Sequence, residues 1–263
     1  MLRVLWFGLL LAAGPVLRAD PLLPIRQARA MLGPAVWSRV LLVDNRISDP
    51  RHPLRFPALV FALEGRLWLY DANEGTQSLS FQAGRLEADK ADPGPLLRRF
   101  LPSVTGFRDL TAEVDRLPPL VGAGRPPRTW RDRLPFGCFI ECFARWRELT
   151  ASATPPDSGG ILAIYFDTSA GHCGHSALVY TSGNRRFIYD PDDEAAIPSQ
   201  LASAPSAPLD LARAFFPLLA PHEARLLALH DGLAPNSPAA TAVASRGNSA
   251  EPSRRPDRAS STD

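Results

Sequence analysis

One pattern, written twice, constrains this chain more than any other feature. Ala58-Leu59-Val60-Phe61, a turn at Glu64-Gly65 and Leu69-Tyr70-Asp71 make the first copy. Ala177-Leu178-Val179-Tyr180 and Ile188-Tyr189-Asp190 make the second, 119 residues later. Aliphatic, β-branched and aromatic residues interrupted by a short polar turn are the signature of a β-hairpin. Two such hairpins require antiparallel sheet. Shared ancestry and the ordinary likeness of two half-buried hairpins account for the echo equally well. With Pro57 taken as the counterpart of His175, any chemistry belongs to the second copy.

The segments around the hairpins fill in an α+β domain, an antiparallel β-sheet packed by helices. Helices are expected over 24–32, where Gly33 is the stop, and over 93–101, 108–116, 138–149, 209–219 and 222–230, with Pro221 at the last start. Strands are expected over 37–43, 58–63, 66–70, 161–166, 175–181 and 186–189. A Pro- and Arg-rich loop spans 117–135.

Both chain ends read differently from this middle. Arg3, the apolar run 4–17 broken by Gly14 and Pro15, and a cleavage point after Ala19 read as an export signal over 1–19. The run is too short and too broken to favour a stable membrane span. Residues 233–263 are Ser-, Ala-, Pro- and Arg-rich, with too little apolar bulk to offset ordering entropy, and are expected to be a disordered tail. The folded part is then a single domain over 20–232, within the size range of one core. All basic residues but Lys90 are Arg, and 29 Lys+Arg against 27 Asp+Glu leave a net charge of +2. That balance argues against a nucleic-acid partner.

Chemistry centres on three cysteines, Cys138, Cys142 and Cys173. Cys138 follows Gly137 at an expected helix start, where the helix dipole and unsatisfied N–H groups favour a thiolate. His175 begins one strand and Asp190 ends the next. With the turn centred on Ser182-Gly183 the two lie directly opposite each other, and a one-residue slip of that turn is expected to separate their faces.

The segments Gly137-Cys138-Phe-Ile-Glu141, Gly174-His175-Ser-Ala and Tyr189-Asp190-Pro191 resemble the transglutaminase-like branch of the papain-like cysteine enzymes, over roughly 130–195. The resemblance implies a papain-like or transglutaminase-like arrangement, with Cys138 as nucleophile, His175 as base and Asp190 orienting the imidazole. It implies acyl transfer on an amide (hydrolysis, deamidation or cross-linking), a protein or peptide substrate and no cofactor. Two departures stand out. Ala177 replaces a Trp frequent in the family, and Asp132 lies nearest the place of a missing Gln oxyanion donor. The oxyanion site then needs the Cys138 N–H and a second donor.

Spacing allows two further readings of the sulfurs. Cys142 lies about 6 Å along the helix from Cys138, and Cys173 about 6.6 Å along the strand from His175. A Cys142–Cys173 disulfide would staple the pair and suit an oxidising compartment. Alternatively, the three cysteines with His172 or His175 would enclose a structural zinc ion. A non-catalytic exported interaction or scaffold domain is the third reading. Asp71, Glu74 and Gln77 receive no role.

Overall fold

The structure is a computed structural model that describes residues 20–46, 54–79, 84–122, 124–126, 133–169, 171–193, 199–201 and 207–229. The expected export signal and the expected tail lie outside the described residues.

The chain traces one path twice. In the first half, α1 (Leu23–Leu32) leads into β1 (Ser38–Asn45), β2 (Arg55–Leu63), β3 (Arg66–Asp71) and β4 (Gly75–Ser78). Two short helices, α2 (Leu86–Ala91) and α3 (Gly94–Phe100), return it to β5 (Val104–Asp109), and α4 (Thr111–Asp115) follows. In the second half, α5 (Cys138–Thr150) leads into β6 (Ser158–Thr168), β7 (Gly171–Ser182), β8 (Arg185–Tyr189) and β9 (Ser199–Leu201). Helix α6 (Pro208–Phe215) then returns the chain to β10 (Glu223–Leu229). The sheets run β4-β3-β2-β1-β5 and β9-β8-β7-β6-β10, so strand order and connectivity agree between halves. Register agrees as well: Leu59 pairs with Tyr70 and Leu178 with Tyr189.

Both faces of each sheet are covered, which is why the hairpins read as near-continuous apolar runs rather than strict alternation. Between the sheets lie α1 and α5. Ile25, Met31 and Leu32 of α1 and Phe139, Ile140, Phe143 and Trp146 of α5 pack there with Leu59, Phe61 and Tyr70 of one sheet and Ile161, Leu178, Tyr180 and Tyr189 of the other. The outer face of the first sheet buries Leu41, Val43, Val60, Leu67 and Leu69 with Leu97 of α3. That of the second buries Leu162, Ile164, Ala177, Val179 and Ile188 with Leu211 and Ala212 of α6. A ten-residue helix such as α1 is marginal alone in water. Each of its large buried side chains contributes about 1.5–3 kcal/mol, enough to hold it.

The pattern reading located most elements and missed others. Glu64 and Gly65 both have positive φ, 50° and 70°, as a type I′ hairpin turn requires. Residues 108–116 are not one helix: β5 continues through Asp109 as the edge partner of β1, and only α4 is helical. Residues 222–230 are strand β10, not helix, paired along β6 from Glu223–Tyr165 to Leu229–Gly159. Leu226, Leu227 and Leu229 suit either period, and an open sheet edge decides the matter. The short β4, α2 and β9 carried no pattern strong enough to predict. Phe56, rather than Pro57, stands where the second half has His175, since Ala58 and Ala177 are equivalent in register. No helix among the described residues is long and apolar enough to cross a membrane.

Candidate functional site

The site begins in the short approach to α5. Gly137 donates its N–H to the Leu134 carbonyl at 3.1 Å. A Cβ on Gly137 would lie 2.1 Å from Leu134 Cβ, so only glycine fits before Cys138. The first half braces this approach. The Tyr70 hydroxyl donates to the Pro135 carbonyl at 2.9 Å, and a Cβ on Gly75 would lie 2.7 Å from the Phe136 carbonyl oxygen.

A buried acid ties the approach down from the helix side. Glu141, with 0% exposure, sits in the first turn of α5. Its Oε1 accepts the Leu134 N–H at 2.7 Å, and its Oε2 accepts from Arg133 Nη2 at 3.3 Å. Burial raises the Glu141 carboxyl above its ordinary range, while the Arg133 charge and the Leu134 N–H pull it back only in part. Arg133 also binds Asp192 through Nη2, so one guanidinium joins the segment before α5 to the segment after β8.

The second hairpin supplies the imidazole. Pairing of β7 with β8 stops at Leu178–Tyr189, while β7 itself extends back to Gly171. Helix α5 meets this uncovered stretch, where the Ser176 carbonyl accepts the Cys142 thiol at 3.5 Å. His175 lies in the same stretch and is 8% exposed. Its Nε2 is 3.0 Å from Asp190 Oδ1, its Nδ1 is 3.6 Å from Asp192 Oδ2, and its ring meets Phe216 edge-on at 5.2 Å. Burial works against the charged imidazolium. Hydrogen bonds with Asp190 and the Cys138 side chain, and the charges of both, outweigh it and push His175 up to about 10.

Cys138, His175 and Asp190 therefore come together, by a register other than the expected one. Ser182 pairs with Arg185, which centres the turn on Gly183-Asn184. Moving a turn by one residue moves every pairing by two, and a shift of two keeps side chains on their face. The expectation that such a slip would separate the pair is corrected accordingly. Asp190 is diagonal to His175, just beyond the end of β8. Its Oδ1 also accepts the Asp192 N–H at 2.8 Å, so one oxygen serves both the turn and the ring.

Cys142 and Cys173 do not behave as expected. All three cysteines are free thiols. Cys142 is buried beneath Ser176, which raises its thiol well above the ordinary range through burial, and Cys173 Sγ lies 3.5 Å from Thr168 Oγ1. The disulfide is not formed. The cysteine-rich zinc site is not assembled either: among the described residues, the donor groups close enough to share an ion are Asp167/His172/His222 and His175/Asp190/Asp192.

Sequence reasoning missed Arg133 and Asp192, and gave Glu141 no role. Glu141 carried a signal, an acid amid Phe139, Ile140, Cys142 and Phe143, since a buried carboxylate needs a partner. Asp132 lies outside the described residues. No protein family, no curated protein and no solved structure matches this chain.

Proposed function

We propose that this chain is an exported cysteine enzyme of papain-like or transglutaminase-like type that transfers the acyl group of an amide in a protein or peptide. The observation that carries the proposal is the buried His175 ring, bonded to Asp190 on Nε2 at 3.0 Å and held in its charged form by Asp190 and Cys138 together. His175 takes the Cys138 proton, and sulfur attacks the amide carbonyl. The same proton passes to the departing amine, and water or a second amine then releases the thioester. Asp190 holds the ring's orientation and stabilises its charge. Gly137, the N-cap of α5, offers no side-chain acceptor to the first-turn N–H groups. That leaves the Cys138 N–H suited to receive a developing oxyanion. Export rests on the sequence of residues 1–19.

One observation favours a second reading, a non-catalytic exported scaffold. In the first half Asp71 Oδ1 accepts the N–H groups of Asn73 and Glu74 at 2.7 and 2.8 Å, the same kind of turn that Asp190 makes. Asp190 is then scaffold first.

Alkylation separates the two readings. With iodoacetamide at neutral pH and mass-spectrometric mapping, the enzyme reading expects Cys138 to be modified first. His175→Ala should slow that step by roughly tenfold or more. Modification of Cys138 at the same rate with and without His175 leaves the scaffold.

A further inference from the structure

The far end of the second sheet gathers a second set of donors, about three residues along β7 from His175 and facing water. Asp167 on β6 and His172 on β7 are direct cross-strand partners. His222, just before β10, is fixed by its N–H to the Tyr165 carbonyl at 3.1 Å. Three strands therefore converge on one spot. His172 Nδ1 is 2.5 Å from Asp167 Oδ1, and His222 Nδ1 is 3.8 Å from Asp167 Oδ2. The two rings stand edge-to-face with centroids 6.3 Å apart, and one donor atom from each residue lies within 4.8 Å of the others.

We infer that Asp167, His172 and His222 form a site for a divalent transition-metal ion such as zinc, cobalt or nickel. Two imidazoles and one carboxylate are a donor set that such ions prefer over magnesium or calcium, which favour oxygen alone. Donors at about 2 Å from a tetrahedral ion stand about 3.3 Å apart. The 3.8 Å pair needs to close slightly and the 2.5 Å pair to open. Side chains exposed by 90% at His172, 64% at Asp167 and 47% at His222 can make that adjustment. The backbone is already in place, because strand pairing sets Asp167 against His172 and the backbone bond from His222 to Tyr165 sets the third residue. Solvent completes the coordination, leaving an open position on the ion. A bound ion would cross-link the ends of β6, β7 and β10, and so brace the strand that carries His175. The site stands independently of the Cys138 reading.

Cobalt(II) titrated into the full chain tests it, with the visible spectrum and calorimetry read together. About one equivalent should bind without a sulfur-to-metal charge-transfer band, which sets this site apart from capture by the thiols. His222→Ala and Asp167→Asn should each weaken binding by roughly tenfold or more. Both residues are exposed, and far-ultraviolet circular dichroism should show the fold kept. His175→Ala should leave the affinity unchanged. Absence of binding, binding unaltered by both variants, a sulfur band, or loss of binding with His175→Ala would each overturn the assignment.

Discussion

The two halves share a path and a hairpin register, yet among the described residues it is the second that brings a histidine against a carboxylate near a cysteine. At equivalent positions of the paired hairpins stand Phe56, 2% exposed, and His175, 8% exposed. Asp71 and Asp190 stand at the other equivalent pair, each turning the chain through its own Oδ1. The scaffold thus asks for a flat, buried ring and a turn-forming carboxylate in both halves. Exchanging phenyl for imidazole beside a carboxylate already present makes a charged pair with little change in volume. The second half adds two features. Its β6 and β7 run for 11 and 12 residues against 8 and 9 for β1 and β2, and its leading helix opens on Cys138 whereas α1 opens on Leu23. The first half acts as a brace, through Tyr70 on Pro135 and the close approach of Gly75 to Phe136.

The largest expected effect breaks the tie confined to the second half. Glu141→Ala leaves Arg133 and the Leu134 N–H without their buried acceptor. It should destabilise the protein by about 3–5 kcal/mol in urea unfolding, and a loss below about 1 kcal/mol would mean the ion pair is incidental. Next comes His175→Phe, which makes the second half resemble the first. The fold should persist, with a melting midpoint within about 4 °C of the parent. Alkylation of Cys138 should nonetheless slow by tenfold or more. Smallest is the paired test of the turns. Asp71→Ala and Asp190→Ala should each cost about 1–2 kcal/mol, but only Asp190→Ala should also slow Cys138. Equal effects on labelling would erase the difference between the halves.

How much of this was legible depends on the range over which each signal acts. The hairpins were legible because a period of two and a two-residue turn are local. His175 and Asp190 were legible because both flank one hairpin, and even a misplaced turn kept them on one face. Cys138 was legible as a helix start because Gly137 precedes it. Arg133 lies in a loop without periodicity, and its partners Glu141 and Asp192 are joined only by tertiary packing. Cys142 and Cys173 had a plausible spacing, yet the uncovered edge of β7 draws Cys142 to the Ser176 carbonyl instead. The strand at Glu223–Leu229 was misread because Leu226, Leu227 and Leu229 fit both periods.

The most direct test is the NMR titration of the His175 imidazole in the parent protein and in Cys138→Ser. The account places the parent midpoint near 10, against 6.5 for a free histidine, and expects it to fall in the variant. Because the folded value is raised, the stability His175 contributes is complete below about pH 6.5. It is lost as pH climbs through about 10. A parent midpoint near 6.5, unmoved by Cys138→Ser, would contradict the pairing of these two side chains.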